Sequence, residues 1–157
     1  MRGSYTGSIL PSQGREASSI LVPRSQVMKT YVFRLKQGQD LRKEIDRFVK
    51  DKNIKAGVIL TCVGNLTKAV FRMADAKIVK TFEGTFEIVS LVGTVEKGNS
   101  HLHISISDKE GQVFGGHLKE SVIGVTAEVV IGEIETLEFK RKFDKSTGYD
   151  ELVVEKI

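Results

Sequence analysis

The stretch His101-Leu102-His103-Ile104-Ser105-Ile106-Ser107-Asp108-Lys109-Glu110-Gly111-Gln112-Val113-Phe114-Gly115-Gly116-His117-Leu118 decides how the chain is read. Leu102, Ile104 and Ile106 alternate with polar residues, the period-two pattern of a strand with one buried face. Lys109-Glu110-Gly111 is a three-residue turn, with Gly111 suited to the left-handed position that follows a type I turn. That loop pairs Asp108 with Gln112, which sets Phe114 across from Ile106 and His117 across from His103. A slip of one residue would turn His117 toward the core and break the apolar face. The apolar pattern and the histidines thus select the same register independently.

Working outward, Tyr31, Phe33 and Leu35 alternate in a first strand that Gly38 ends. Asp40 is a suitable N-cap, and Leu41, Ile45, Phe48 and Val49 form one apolar stripe, so the spacing predicts an amphipathic helix over 41–52 that stops at Asn53. Gly57–Val63 is a continuous apolar strand, expected to be buried on both faces. A crossover of this length makes the strands before and after the helix neighbours or near neighbours in one sheet. Gly64-Asn65 reads as a turn, and further strands are expected at 67–73, 77–83, 85–96, 101–107, 112–118, 124–135, 137–143 and 151–155, with turns at Asp75-Ala76, Gly84 and Gly98-Asn99. The expected class is α+β: a mainly antiparallel, mixed sheet with one dominant amphipathic helix and short extra helical pieces.

The chain has 157 residues, 40% hydrophobic and 28% charged, which suits one globular domain with a tail. No apolar run reaches the ~18–20 residues of a membrane span. Residues 1–27 lack an apolar period, and Leu21-Val22-Pro23-Arg24-Ser25 resembles a thrombin-type cleavage site. They are expected to be an expression leader or linker ahead of a domain over 28–157. A signal peptide is the rival reading, but the continuous apolar segment it needs is missing. Without Arg2, Arg15, Arg24 and Glu16 the formal charge falls from +4 to +2. The longest basic run, Lys140-Arg141-Lys142, lies between Phe139 and Phe143 and is a weak nucleic-acid signal.

Chemistry concentrates on His101, His103 and His117, the three histidines of the chain. Two share a strand face by their spacing, and the third is brought beside them by the hairpin. Their separation suits one metal ion, zinc by default or another divalent transition metal. Three protein ligands leave a fourth position for water or a small ligand, as in catalytic zinc sites. Histidines on a solvated strand face without metal are the plainer alternative. Gly115 and Gly116 allow close approach of backbone or ligand. Cys62, the single cysteine, excludes an internal disulfide and fits a reducing compartment, the cytoplasm. Its place in an apolar strand makes it a small hydrophobe and a poor fourth ligand. Asn65 is accounted for by a turn, and Arg72 and Glu87 are charges on apolar strands that face either a cleft or, more simply, solvent. No phosphate-binding loop or nucleophile elbow occurs.

Three blocks, Gly64-Asn65-Leu66-Thr67-Lys68-Ala69-Val70-Phe71-Arg72, Gly84-Thr85-Phe86-Glu87-Ile88-Val89-Ser90-Leu91-Val92-Gly93 and His101-Leu102-His103 with Gly115-Gly116-His117, together resemble the plants-and-prokaryotes-conserved domain, PPC or PCC. The resemblance spans Met28–Ile157. It implies an α+β domain that assembles as a homotrimer, with a metal at the histidine block in prokaryotic stand-alone members. In plants it implies association with DNA through AT-hook motifs. This chain has no AT-hook core, and Thr85 stands where the plant signature has arginine. Three functions follow from these readings: a metal-binding oligomeric domain with an unknown small ligand, a DNA-associated regulator, or a zinc-dependent hydrolase or lyase. The last needs a carboxylate or similar base near the metal, and the sequence singles none out.

Overall fold

The structure, a computed structural model, describes residues 28–157, so the reading of residues 1–27 as a leader lies outside the described residues. The elements in chain order are β1 (Lys29–Lys36), α1 (Leu41–Asp51), β2 (Gly57–Arg72), β3 (Val79–Glu96), β4 (Asn99–Ser107), β5 (Val113–Glu133), β6 (Leu137–Asp144) and β7 (Tyr149–Lys156). The first five strands lie in the order β1-β5-β2-β3-β4, and β4 also pairs with β5. Strand β5 carries β2 along one edge; on the other, β4 takes its first residues and β1 its last. The sheet therefore closes through β2, β3, β4 and β5, leaving few unpaired edges. β1 and β2 are near neighbours on either side of β5, as a crossover through α1 allows.

The helix forms where its signals lie. Asp40 caps it, accepting from the Lys43 amide at 2.9 Å, and Leu41, Ile45 and Val49 are fully buried. Phe48 stacks on Phe33 with ring centroids 4.1 Å apart. Asn53 takes a left-handed φ of 53°, which ends the helix where expected. Yet α1 has 11 residues and is the single helix among the described residues. The expected dominant helix and extra helical pieces are therefore corrected: strands carry the fold, and all their pairings are antiparallel. The fold is α+β with a small helical part.

Two expected turns are instead interior to long strands. Gly64-Asn65 lies within β2 and Gly84 within β3. Gly64 has φ +145°, and a Cβ there would lie 2.2 Å from the Thr126 carbonyl oxygen, so the residue permits β2 to cross close to β5 at a bulge. Asn65 Oδ1 accepts from the Val125 amide at 2.8 Å and so ties the two strands together there. Likewise the strands expected at 112–118 and 124–135 merge into one long strand, β5, over Val113–Glu133. One core runs under the sheet, centred on Phe71, Leu66, Ile106, Leu118 and Ile131 with the helix stripe. Cys62 belongs to it, 3% exposed, and burial pushes its thiol up to about 12. It behaves as the small hydrophobe expected, but Leu60 and Val63 of the same strand are 47% and 51% exposed, so the expected burial of Gly57–Val63 on both faces is corrected to one face within the chain. The separate β6–β7 hairpin packs Leu137 and Phe139 against Ala56.

Candidate metal centre

The register expected for the central hairpin is the one observed. Ile106 faces Phe114, and His103 faces His117. Gly111 has φ +80°, and its amide donates to the Asp108 carbonyl at 3.1 Å. Leu102, Ile104 and Ile106 are buried, so the alternate positions, His101 and His103, stand on the outer face. Gly93 keeps this part of the sheet tight: a Cβ on it would meet the His101 carbonyl oxygen at 2.0 Å. Gly115 and Gly116 accommodate backbone, since their missing Cβ atoms would press on the carbonyls of Ile104 and Arg72 at 2.9 and 3.0 Å.

The structure brings His101, His103 and His117 together. One ring nitrogen from each lies within 4.8 Å of the others, and the Nε2 atoms of His101 and His103 are 3.3 Å apart. The ring centroids lie 5.1–5.4 Å apart. His117 Nδ1 is buried and has no hydrogen-bond partner in the protein. Burial, then the positive charges of Arg72 and Lys119 and the other two histidines, hold His117 down to about 4. His101 is lowered by burial first, then by Arg141, His103 and Arg72, against the opposing pull of Glu151. Both rings are thus biased toward the neutral form, which offers a lone pair to a metal. The donor set fits a divalent transition ion, with imidazoles converging from two paired strands.

Beside the histidines is a cavity of about 440 Å³. His101, His117, Arg72, Lys119, Arg141 and Glu151 are among the residues that line it, with Asp150 beside Glu151 on β7. Arg72 faces His117 directly across β2 and β5, so of the two strand charges singled out in the sequence it is the one that reaches the site. Glu87 lies exposed. Arg141, Asp150 and Glu151 come from the β6–β7 hairpin, more than 20 residues downstream of His117, and no local pattern links them to the histidines. Cys62 is in the core and takes no part in the cluster.

The basic run near the C-terminus is spent on ion pairs. Lys140 Nζ lies 2.5 Å from Glu155, Lys142 Nζ 3.7 Å from the same carboxylate, and Arg141 Nε 2.9 Å from Glu96. No helix among the described residues is long and apolar enough to cross a membrane.

Comparison with known proteins gives the family. The chain is 37% identical over 131 residues to the bifunctional protein GlmU of Synechococcus sp. strain JA-3-3Ab, covering 83% of this chain and 21% of GlmU. It thus spans about a fifth of the length of the curated relatives it matches. A hypothetical protein from Salmonella superposes with a TM-score of 0.81 at 35% identity, covering 85% of this chain and 97% of that one. A metal-containing protein from Archaeoglobus fulgidus superposes with a TM-score of 0.73 at 27% identity, covering 85% and 99%. The Plants and Prokaryotes Conserved (PCC) domain matches residues 23–135, beginning within the segment read as a leader and ending just before the β6–β7 hairpin, and the chain belongs to that family.

Proposed function

We propose that the chain is an oligomeric PCC domain in which His101, His103 and His117 hold one divalent transition metal ion, zinc by default, beside a pocket for a small ligand. The observation that carries this reading is the convergence of three imidazole nitrogens within 4.8 Å. Three ligands from two rigid, paired strands need little rearrangement to bind an ion. The described metal content of the Archaeoglobus fulgidus relative supports the same reading. Assembly with further copies, as a homotrimer, is supported by exposed Val32, Leu60, Val63 and Val125 on β1, β2 and β5, residues that a soluble sheet ordinarily covers.

Elemental analysis of the full chain after zinc loading and desalting tests the metal. One ion per chain is expected in the wild type and a large loss of occupancy in His103→Ala. A wild-type chain without stoichiometric metal overturns the reading. The cavity also holds Asp150 and Glu151, the carboxylates that a metal-dependent hydrolase or lyase would need for proton transfer. That is the specific observation favouring an enzyme as the second reading. DNA association ranks below both, because the basic run is paired within the chain.

A further inference from the structure

The cavity is larger than an ion requires, and its charges are unevenly committed. Arg141 places Nε on Glu96 and Nη2 on Thr94, at 2.9 and 2.7 Å. Arg72 and Lys119, in contrast, make no ion pair among the described residues. Their positions follow from register: Arg72 lies directly across from His117, and Lys119 is two residues further along β5, so both share the histidines' face. Two uncommitted cations beside a centre suited to a dication repel it and each other, and negative charge placed between them offsets the cost. Asp150 and Glu151 of β7 also line the cavity without joining the three-histidine group, and Glu151 acts electrostatically on His101.

We infer that this cavity takes a small organic acid, its carboxylate lying between the three-histidine centre and the Arg72 and Lys119 cations, and its hydroxyl or ammonium group facing Asp150 and Glu151. The inference rests on the metal reading above and names the ligand class of the same site. The two carboxylates decide against a ligand that is anionic throughout. A phosphate spreads charge over all its oxygens and is repelled by them, whereas a hydroxy or amino acid confines its charge to one end and offers donors at the other. Arg72 carries the recognition, since a guanidinium binds a carboxylate through two parallel hydrogen bonds. Arg141, Asp150 and Glu151 lie beyond the residues matched by the family, so this pocket is completed by the chain's own C-terminal hairpin.

The test uses the full chain loaded with cobalt(II), whose visible spectrum reports its coordination, titrated with acetate, lactate, serine and inorganic phosphate. Lactate and serine are expected to shift the spectrum saturably and more tightly than acetate. Arg72→Gln is expected to weaken lactate about tenfold or more at unchanged cobalt stoichiometry. Lys119→Gln gives the same direction should Arg72→Gln fold poorly, and Glu151→Gln is expected to remove the advantage of lactate over acetate. A spectrum unmoved by every acid, equal lactate affinity in both cation variants, or phosphate binding more tightly than lactate overturns the inference alone. Failure of the wild type to take up cobalt overturns the three-histidine centre itself.

Discussion

Two groups of cations sit at opposite ends of visibility in this molecule. Lys140-Arg141-Lys142 is the longest basic run in the chain, and each member is paired with a carboxylate: Glu155 and Glu138 take Lys140, Glu96 takes Arg141, and Glu155 also takes Lys142. Arg72 and Lys119 are 47 positions apart in sequence, yet β2 and β5 bring them to either side of His117 with no ion pair of their own among the described residues. A run of like charge is readily neutralised, because alternate strand residues face different partners. Dispersed charges gathered by strand pairing produce the stronger local field. Field strength follows from what is left unpaired, and that depends on tertiary placement.

The largest effect that would sharpen this contrast is on stability. The Arg141 and Glu96 side chains are 16% and 6% exposed, and Glu96 Oε2 is buried without a partner. Burial raises Glu96 above the ordinary carboxylate range despite Arg141, and Asp46 from α1 adds to the rise. Arg141→Ala leaves that carboxylate uncompensated and is expected to cost roughly 3 kcal/mol or more by chemical denaturation. The sign with pH follows from proton uptake. A folded-state pKa above the unfolded one means that the native state binds the extra proton between the two values, so stability falls as pH rises through that window. The deficit of Arg141→Ala should therefore be smaller at pH 5 than at pH 8. An equal deficit at both pH values would show that the pair does not carry the cost.

The second effect concerns metal affinity. If Arg72 is uncommitted, removing its charge relieves repulsion on the ion, whereas removing a paired lysine does not. In buffer free of carboxylates, Arg72→Gln is expected to tighten zinc roughly threefold to tenfold, on the order of 1 kcal/mol after screening. Lys142→Ala should leave it unchanged. Competition against a chromogenic chelator measures both. Weaker zinc binding in Arg72→Gln would mean that the arginine supports the histidine geometry instead of opposing the ion.

What was legible in the sequence followed the same division between local and gathered signals. The β4–β5 register, the helix stripe and the three-histidine cluster were readable because alternation, capping and turn chemistry act within a few residues. The long strands β2 and β5 were not, since Gly64 and Asn65 carry the local signature of a turn. In the fold the glycine serves a close strand crossing and the asparagine ties the strands across it. Gly84 misled in the same way, lying in β3 with φ +143°. Arg72 was visible as a charge on an apolar strand, but which face it took depended on pairing with β5. Asp150 and Glu151 reach the cavity only through packing of the β6–β7 hairpin, which no periodicity announces.

The smallest expected effect is the one that would break the comparison outright. Lys140 and Lys142 are 40% and 63% exposed, and their pairs with Glu138 and Glu155 lie at the surface. Such exposed pairs are screened by solvent and salt, so Lys140→Ala with Lys142→Ala should change stability little. Nucleic-acid binding provides the sharper readout. Occupied by carboxylates, these lysines release few counterions on meeting a phosphate backbone, and the full chain is expected to bind duplex DNA weakly and without sequence preference. The double variant should match the wild type in affinity at low salt and in the slope of binding against salt. Had the run been a recognition surface, losing two phosphate contacts would lower that slope by about two. A drop of that size, or nanomolar selective binding by the wild type at physiological salt, would move the function from the histidine face to the basic run.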